Sequence, residues 1–181
     1  MKNSFILFSL FLILVSCINP VPRKPVARKT SSFMKESVSF NKSLNAAEEK
    51  DFLLLIKNDS VSNYITSPNG FWYKYNLKGN KVYYPKFGDK VLYTYEVYDI
   101  NGNIIYDFNE IGEKSYVIDQ QEIIEGLRNG LKLMNEGEVV TFLFPSHKVY
   151  GYLGDNNKIN INQPLIYKVQ LNQINKKNES N

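Results

Sequence analysis

The chain has 181 residues, 43% of them hydrophobic and 22% charged, with a net charge of +4 at neutral pH. That is room for one globular domain with flanking segments, and too little for two. So small a charge, with its basic residues gathered at RKPVARK (23–29), argues against a nucleic-acid groove, and no nucleic-acid partner is expected. One cysteine, Cys17, and one histidine, His147, allow no disulfide within the chain and too few soft ligands for a metal site. No metal and no cofactor is expected, and His147 beside Ser146 reads as a solvated loop residue.

In chain order, Lys2 is followed by FILFSLFLILV (5–15). This run is shorter than the about 20 residues needed to cross a bilayer and fits the apolar region of a secretory signal. It leads into LVSC (14–17), which resembles the lipobox of bacterial lipoproteins. The resemblance implies a signal peptide over 1–16, lipidation of Cys17, and a lipid-anchored protein of the cell envelope, on the outer membrane facing the periplasm. A plain signal peptide with an incidental cysteine is the alternative. An exported chain has reason to avoid a spare thiol, and this one has a single cysteine at this one spot.

Residues 17–43, with three prolines, many polar side chains and no sustained period, read as a tether. Residues 44–66 place Leu44, Phe52, Leu55, Ile56 and Tyr64 among good helix formers, and an amphipathic helix is expected there. From 67 onward the pattern becomes β. FWYKYN (71–76) and KVLYTYEVYD (90–99) are rich in aromatic and β-branched residues, with Val91, Tyr93, Tyr95 and Val97 at period two. Asn101-Gly102 suits a tight hairpin turn, so NIIYD (103–107) returns antiparallel. KSYVID (114–119) is a further strand. QEIIEGLRNGLKLM (121–134) has helical spacing, with Ile123, Ile124, Leu127, Leu131 and Met134 on one side and Gly137 beyond its end. EVVTFLF (138–144) and PLIYKVQLNQI (164–174) complete the strands, and 175–181 is a polar tail.

The pattern predicts an α+β domain over 67–174, an antiparallel β-sheet wrapped around one short helix. The loop from Pro145 to Gln163 is long for so small a domain, and loops of that length are usually functional. Within it KVYGYLGD (148–155) offers two tyrosines between glycines that read as hinges, and no nucleophile.

Several stretches, in this order, make the domain resemble the FK506-binding protein (FKBP) family of peptidyl-prolyl cis-trans isomerases. They are Tyr95 in its strand, the Asn101-Gly102 hairpin, the pair Tyr106-Asp107 set one residue late, and IIEGL (123–127). LMNEGEVVTFLFP (133–145), VYG (149–151) and LIYKVQL (165–171) complete the series. A narrower likeness, carried by LVSC and SPNGFWYKYN (67–76), is to lipid-anchored isomerases of gliding bacteria. The family resemblance implies an enzyme acting on X-Pro segments of exported proteins. Its catalytic set would be Tyr95, Tyr106, Asp107 and Tyr150, with Tyr116, Ile123, Ile124, Leu127, Ile159 and Tyr167 lining the substrate pocket. Tyr150 would offer its hydroxyl and Ile124 its backbone N–H, while Asp107 would orient the tyrosines or meet the carbonyl carbon. Leu127 stands where the family usually has tryptophan, and Asn160-Ile161 where it has a proline pair. These departures keep a second reading open, a catalytically weak binding or chaperone subunit of a surface machine. Tyr152 has no role under either reading.

Overall fold

The computed structural model describes residues 30–59 and 63–177; the signal, Cys17 and the part of the expected tether before residue 30 lie outside them. The chain divides into two compact units, Met1–Val38 and Ser39–Asn181. The described part of the first is helical, and the sheet and the site belong to the second.

Helix α1 spans Thr30–Asn58, so it starts well inside the segment read as tether and stops before the expected residue 66. The 29 residues contain neither glycine nor proline, and Phe33, Met34 and Val38 already have helical spacing among the polar residues that hid it. In the second unit α1 buries Glu48 and Phe52, four residues apart on one face. The Phe52 ring packs on Trp72 with centroids 5.7 Å apart.

Seven strands form one antiparallel sheet: β1 (Ile65–Ser67), β2 (Phe71–Leu77), β3 (Lys90–Tyr98), β4 (Ile104–Tyr106), β5 (Lys114–Val117), β6 (Val139–Phe144) and β7 (Leu165–Asn175). Their order is β1-β2-β6-β7-β3-β4, with β5 also pairing β3. The expected strands are all present, and β1 is added where the end of a helix was read. On β3, Val91, Tyr93 and Val97 are buried, as the period-two pattern requires. The β3–β4 connection is a three-residue loop rather than a two-residue turn: the Asp99 N–H donates to Asn103 O, the Gly102 N–H donates to Asp99 O, and Gly102 alone takes positive φ, +83°.

Two helices lie between β4 and β6. Helix α2 (Phe108–Ile111) was not expected; Asp107 caps it. Helix α3 (Glu125–Leu131) is shorter than the expected 121–134. Ile124 has φ −55° and ψ 139°, outside the helical region, and the β-branched Ile123-Ile124 pair gains little from joining a helix. Gly126, Leu127, Gly130 and Leu131 form the buried face of α3.

The two glycines let α3 lie against an aromatic strand. A Cβ on Gly126 would sit 2.9 Å from the Phe144 ring, and one on Gly130 would sit 3.0 Å from the Phe142 ring. Those two rings stack with centroids 5.2 Å apart and planes 6° from parallel. Phe71 meets both edge-on, at 5.9 and 5.1 Å. Overpacking at such a contact costs about 1–3 kcal/mol, against about 1 kcal/mol gained in helix propensity. Gly126→Ala is therefore expected to lower the unfolding free energy by about 1 kcal/mol, read from the urea midpoint, whereas the same change at an open helix position would raise it.

Candidate functional site

The β3–β7 register builds an aromatic wall. Tyr95 lies opposite Val169, and Val97 opposite Tyr167, which makes Tyr95 and Tyr167 diagonal neighbours on one face. Their rings stack at 5.4 Å and 25°. Tyr93 extends the stack on the other side of Tyr95 at 5.8 Å and 18°, and Phe144 meets Tyr167 at 5.6 Å and 60°. Leu127 and Ile159 are buried in the same apolar cluster, with Ile123, Ile124, Tyr106 and Tyr150 partly buried against it. The Ile124 N–H has no acceptor among the described residues. Tyr116 is a core residue whose hydroxyl accepts from the Asp119 N–H at 2.9 Å.

Tyr150 stands on a loop bonded to itself. The Ser146 carbonyl accepts from both the Val149 N–H (3.0 Å) and the Gly151 N–H (2.8 Å), the residues on either side of Tyr150. The Asn162 N–H donates to Gly151 O at 2.7 Å, and the Asp155 N–H to Ile159 O at 3.2 Å. Lys148 pairs with Glu125 at the start of α3, 2.7 Å away. Glycine is required where the loop closes: Gly154 has φ +65°, and a Cβ there would lie 2.5 Å from Ile159 O. The glycines read as hinges therefore serve tight closure.

The tyrosines act on one another. Burial, with Tyr150 and Tyr106 nearby, pushes the Tyr95 hydroxyl up to about 12. Burial raises Tyr150 as well, outweighing a lowering influence from Tyr167. Tyr167 is held well above the usual tyrosine value by burial first and by Tyr150 next. The Tyr167 hydroxyl is buried without a well-formed hydrogen bond, and Tyr150 is the polar group acting on it most strongly. These hydroxyls stay protonated at ordinary pH, as hydrogen-bond donors.

Asp107 makes a structural hydrogen bond of its own and is not bonded to a site tyrosine. Asp107 is exposed and its Oδ1 accepts from the Glu110 N–H at 2.9 Å, because an aspartate just before a helical turn is drawn into capping it. The carboxylate that meets a site tyrosine is Asp155, which accepts from the Tyr106 hydroxyl and from the Asn157 and Ile159 N–H groups at 2.9 and 2.8 Å. Burial alone would raise the Asp155 carboxyl; the Tyr106 hydroxyl and those N–H groups bring it below the usual range. Lys158 covers the Tyr106 ring at 4.8 Å and pairs with Glu110 at 2.7 Å. Asp155 was missed by sequence reasoning, although Asp-Asn-Asn after Gly154 is an Asx-turn signal. Tyr93 and Phe144 were missed as wall residues.

Two depressions flank this cluster. One, of about 390 Å³, is lined by Thr94, Glu96, Lys168 and Gln170, which alternate with the core-facing residues of β3 and β7. The other, of about 410 Å³, separates Asn41, Leu44 and Asn45 of α1 from His147, Tyr150 and the exposed Tyr152. Ser146 and His147 both line the second, but the Ser146 side chain is buried and its hydroxyl donates to Glu48 at 2.6 Å, so it is not offered as a nucleophile. Among the described residues no group of three or more His, Cys, Asp or Glu is placed to hold a metal ion. The arrangement supplies a dry aromatic surface with hydrogen-bond donors at its edge.

Residues 82–172 match the profile of FKBP-type peptidyl-prolyl cis-trans isomerase. The chain is 29% identical over 129 residues, 71% of its length, to a Neisseria meningitidis serogroup B protein described as a probable FKBP-type peptidyl-prolyl cis-trans isomerase, FkpA. It is 29% identical over 133 residues, 74% of its length, to the peptidyl-prolyl cis-trans isomerase Mip of Coxiella burnetii. It spans about half the length of these curated relatives, 47% and 56%.

Because the Asp155 carboxyl is lowered in the folded chain, it adds stability above its unfolded value near 3.9 and loses it as pH falls through the folded value. Asp155→Asn is expected to lower the thermal midpoint at pH 7, with the gap to the parent narrowing as pH falls below the ordinary carboxylate range. A gap that persists unchanged in acid would refute this.

Proposed function

The chain belongs to the FKBP-type peptidyl-prolyl cis-trans isomerase family, and from that premise we propose that it catalyses rotation about X-Pro peptide bonds in polypeptide substrates. The observation that carries the reading is the Tyr95–Tyr167 stack, 5.4 Å between centroids, with Tyr150 partly buried against the same cluster and the Ile124 N–H left without an acceptor among the described residues.

Rotation about the prolyl bond breaks no covalent bond. The barrier of about 18–20 kcal/mol is amide resonance, and the two end states differ by only about 0.5–1 kcal/mol. Bringing a step of tens of seconds to milliseconds takes about four decades, or about 5–6 kcal/mol of differential stabilisation. In the twisted transition state the carbonyl is less dipolar than in the planar amide, so a dry aromatic surface favours the twisted form. The Tyr150 hydroxyl and Ile124 N–H hold the substrate backbone while the amide turns. Leu127 supplies less flat surface than tryptophan would, but aromatic area is regained from β6, where Phe144 meets Tyr167.

In a cis/trans exchange assay on a short X-Pro peptide, the full chain is expected to accelerate exchange. Tyr150→Phe, losing one hydrogen bond of about 1 kcal/mol, should lower kcat/KM roughly three- to tenfold. The rate should stay flat between about pH 6 and 9, since the site tyrosines titrate above that range. A folded chain giving no acceleration over buffer would sink the proposal.

We further infer that the substrates are exported proteins of the cell envelope, including those of gliding motility, and that lipidated Cys17 anchors the chain to the membrane. The support is the LVSC motif behind the apolar run 5–15. Cys17→Ser is expected to move the chain from the membrane to the soluble fraction of cells; retention in the membrane would remove the anchor. Leu127 and the outward-facing Asp107 favour the binding-subunit reading as the alternative. That alternative gains if Tyr150→Phe abolishes turnover and leaves the cellular role intact.

A further inference from the structure

Glu48 is 4% exposed, and both its carboxylate oxygens are used on one residue of the site loop. Its Oε2 accepts from the Ser146 N–H at 2.8 Å, and its Oε1 from the Ser146 hydroxyl at 2.6 Å. No basic side chain pairs with it among the described residues. A carboxylate buried without a cation is costly unless hydrogen bonds replace its hydration, and here Ser146 supplies both of them. Docking of α1 does not need this arrangement, since Phe52, fully buried against Trp72, already anchors the same helical face.

The residue Glu48 holds is the one that brackets Tyr150. The Ser146 carbonyl accepts from Val149 and Gly151, so one peptide unit determines where the backbone on both sides of Tyr150 lies. The chain of contacts runs from Glu48 on α1, through Ser146, to the two N–H groups flanking the tyrosine. We propose that Glu48 is a positioning residue for isomerisation, which makes helix α1 a working part of the site. Glu48 touches no substrate; it limits where the Tyr150 hydroxyl can be when the amide turns. The proposal rests on the isomerase reading of Tyr150 for its effect on rate, and on geometry alone for its effect on the loop.

The test uses the full chain with Glu48→Leu, Glu48→Gln, Tyr150→Phe and the double variant Glu48→Leu/Tyr150→Phe. Glu48→Leu is expected to lower kcat/KM on an X-Pro peptide roughly as much as Tyr150→Phe, three- to tenfold, and the double variant should fall no further than the single ones, because both changes remove the same contribution. Glu48→Gln, whose amide oxygen can still accept from the Ser146 N–H, should restore most of the rate. Hydrogen exchange should speed at the Val149 and Gly151 amides in Glu48→Leu while amides in β3 and β7 keep their protection. Losses that multiply in the double variant, or exchange at Val149 and Gly151 that is unchanged or lost evenly with the sheet, would overturn the proposal. If the parent chain does not catalyse, the isomerase reading fails by itself, and the exchange measurement still decides the role of Glu48.

Discussion

The antiparallel pairing of β3 with β7 runs from Lys90↔Asn175 to Tyr98↔Ile166, and the rest of the domain is arranged around it. β3 is bordered on its other side by two short strands, β5 along its first half and β4 at its end. β7 carries β6 and, beyond it, β2. Because side chains alternate with period two, a slip of one residue in this pair would turn Tyr95 and Tyr167 to opposite faces and dismantle the stack. A shift between Leu92 and Tyr93 adjusts the register before the tyrosines are reached. The aromatic wall is thus a by-product of strand pairing, held by backbone hydrogen bonds rather than by polar contacts of its own.

A site made this way suits a reaction without bond cleavage. Its residues need no tuned proton affinity, and the tyrosines are displaced away from neutrality, not toward it. What matters is that Tyr150 be held still. The loop that carries it is tied at Ser146, at Gly151–Asn162, at Asp155–Ile159 and through Lys148 to α3. The 410 Å³ groove beside it leaves Tyr152 exposed, so of two tyrosines two residues apart only Tyr150 is built into the apolar cluster.

Strands, the aromatic face of β3 and the importance of the loop after Pro145 were legible in the sequence, because period-two alternation and turn residues are local signals. The position of Leu127 was legible through IIEGL. The less legible parts are those where a short-range rule competed with packing. Asp107 lies beside Tyr106 in the chain, yet capping a nearby turn claims it, while Asp155 reaches the same tyrosine from a loop almost fifty residues away. Helix α3 is shorter than its periodicity because Ile124, with ψ 139°, stays outside the helical region at the edge of the site. The early start of α1 was hidden by polar residues that tolerate either state. Glu48 gave no signal at all, since an acidic residue in AAEEK looks like any solvated helix position until Ser146 is seen beneath it.

The contact between α3 and β6 also constrains how relatives of this chain can diverge. Gly126 faces Phe144 and Gly130 faces Phe142 with no space for a methyl group. A lineage that places a larger residue on that helix face must shrink the facing strand residue at about the same time, in either order only through a strained intermediate. Positions 126 with 144, and 130 with 142, should therefore change as pairs between family members, while the sheet beneath them stays the same.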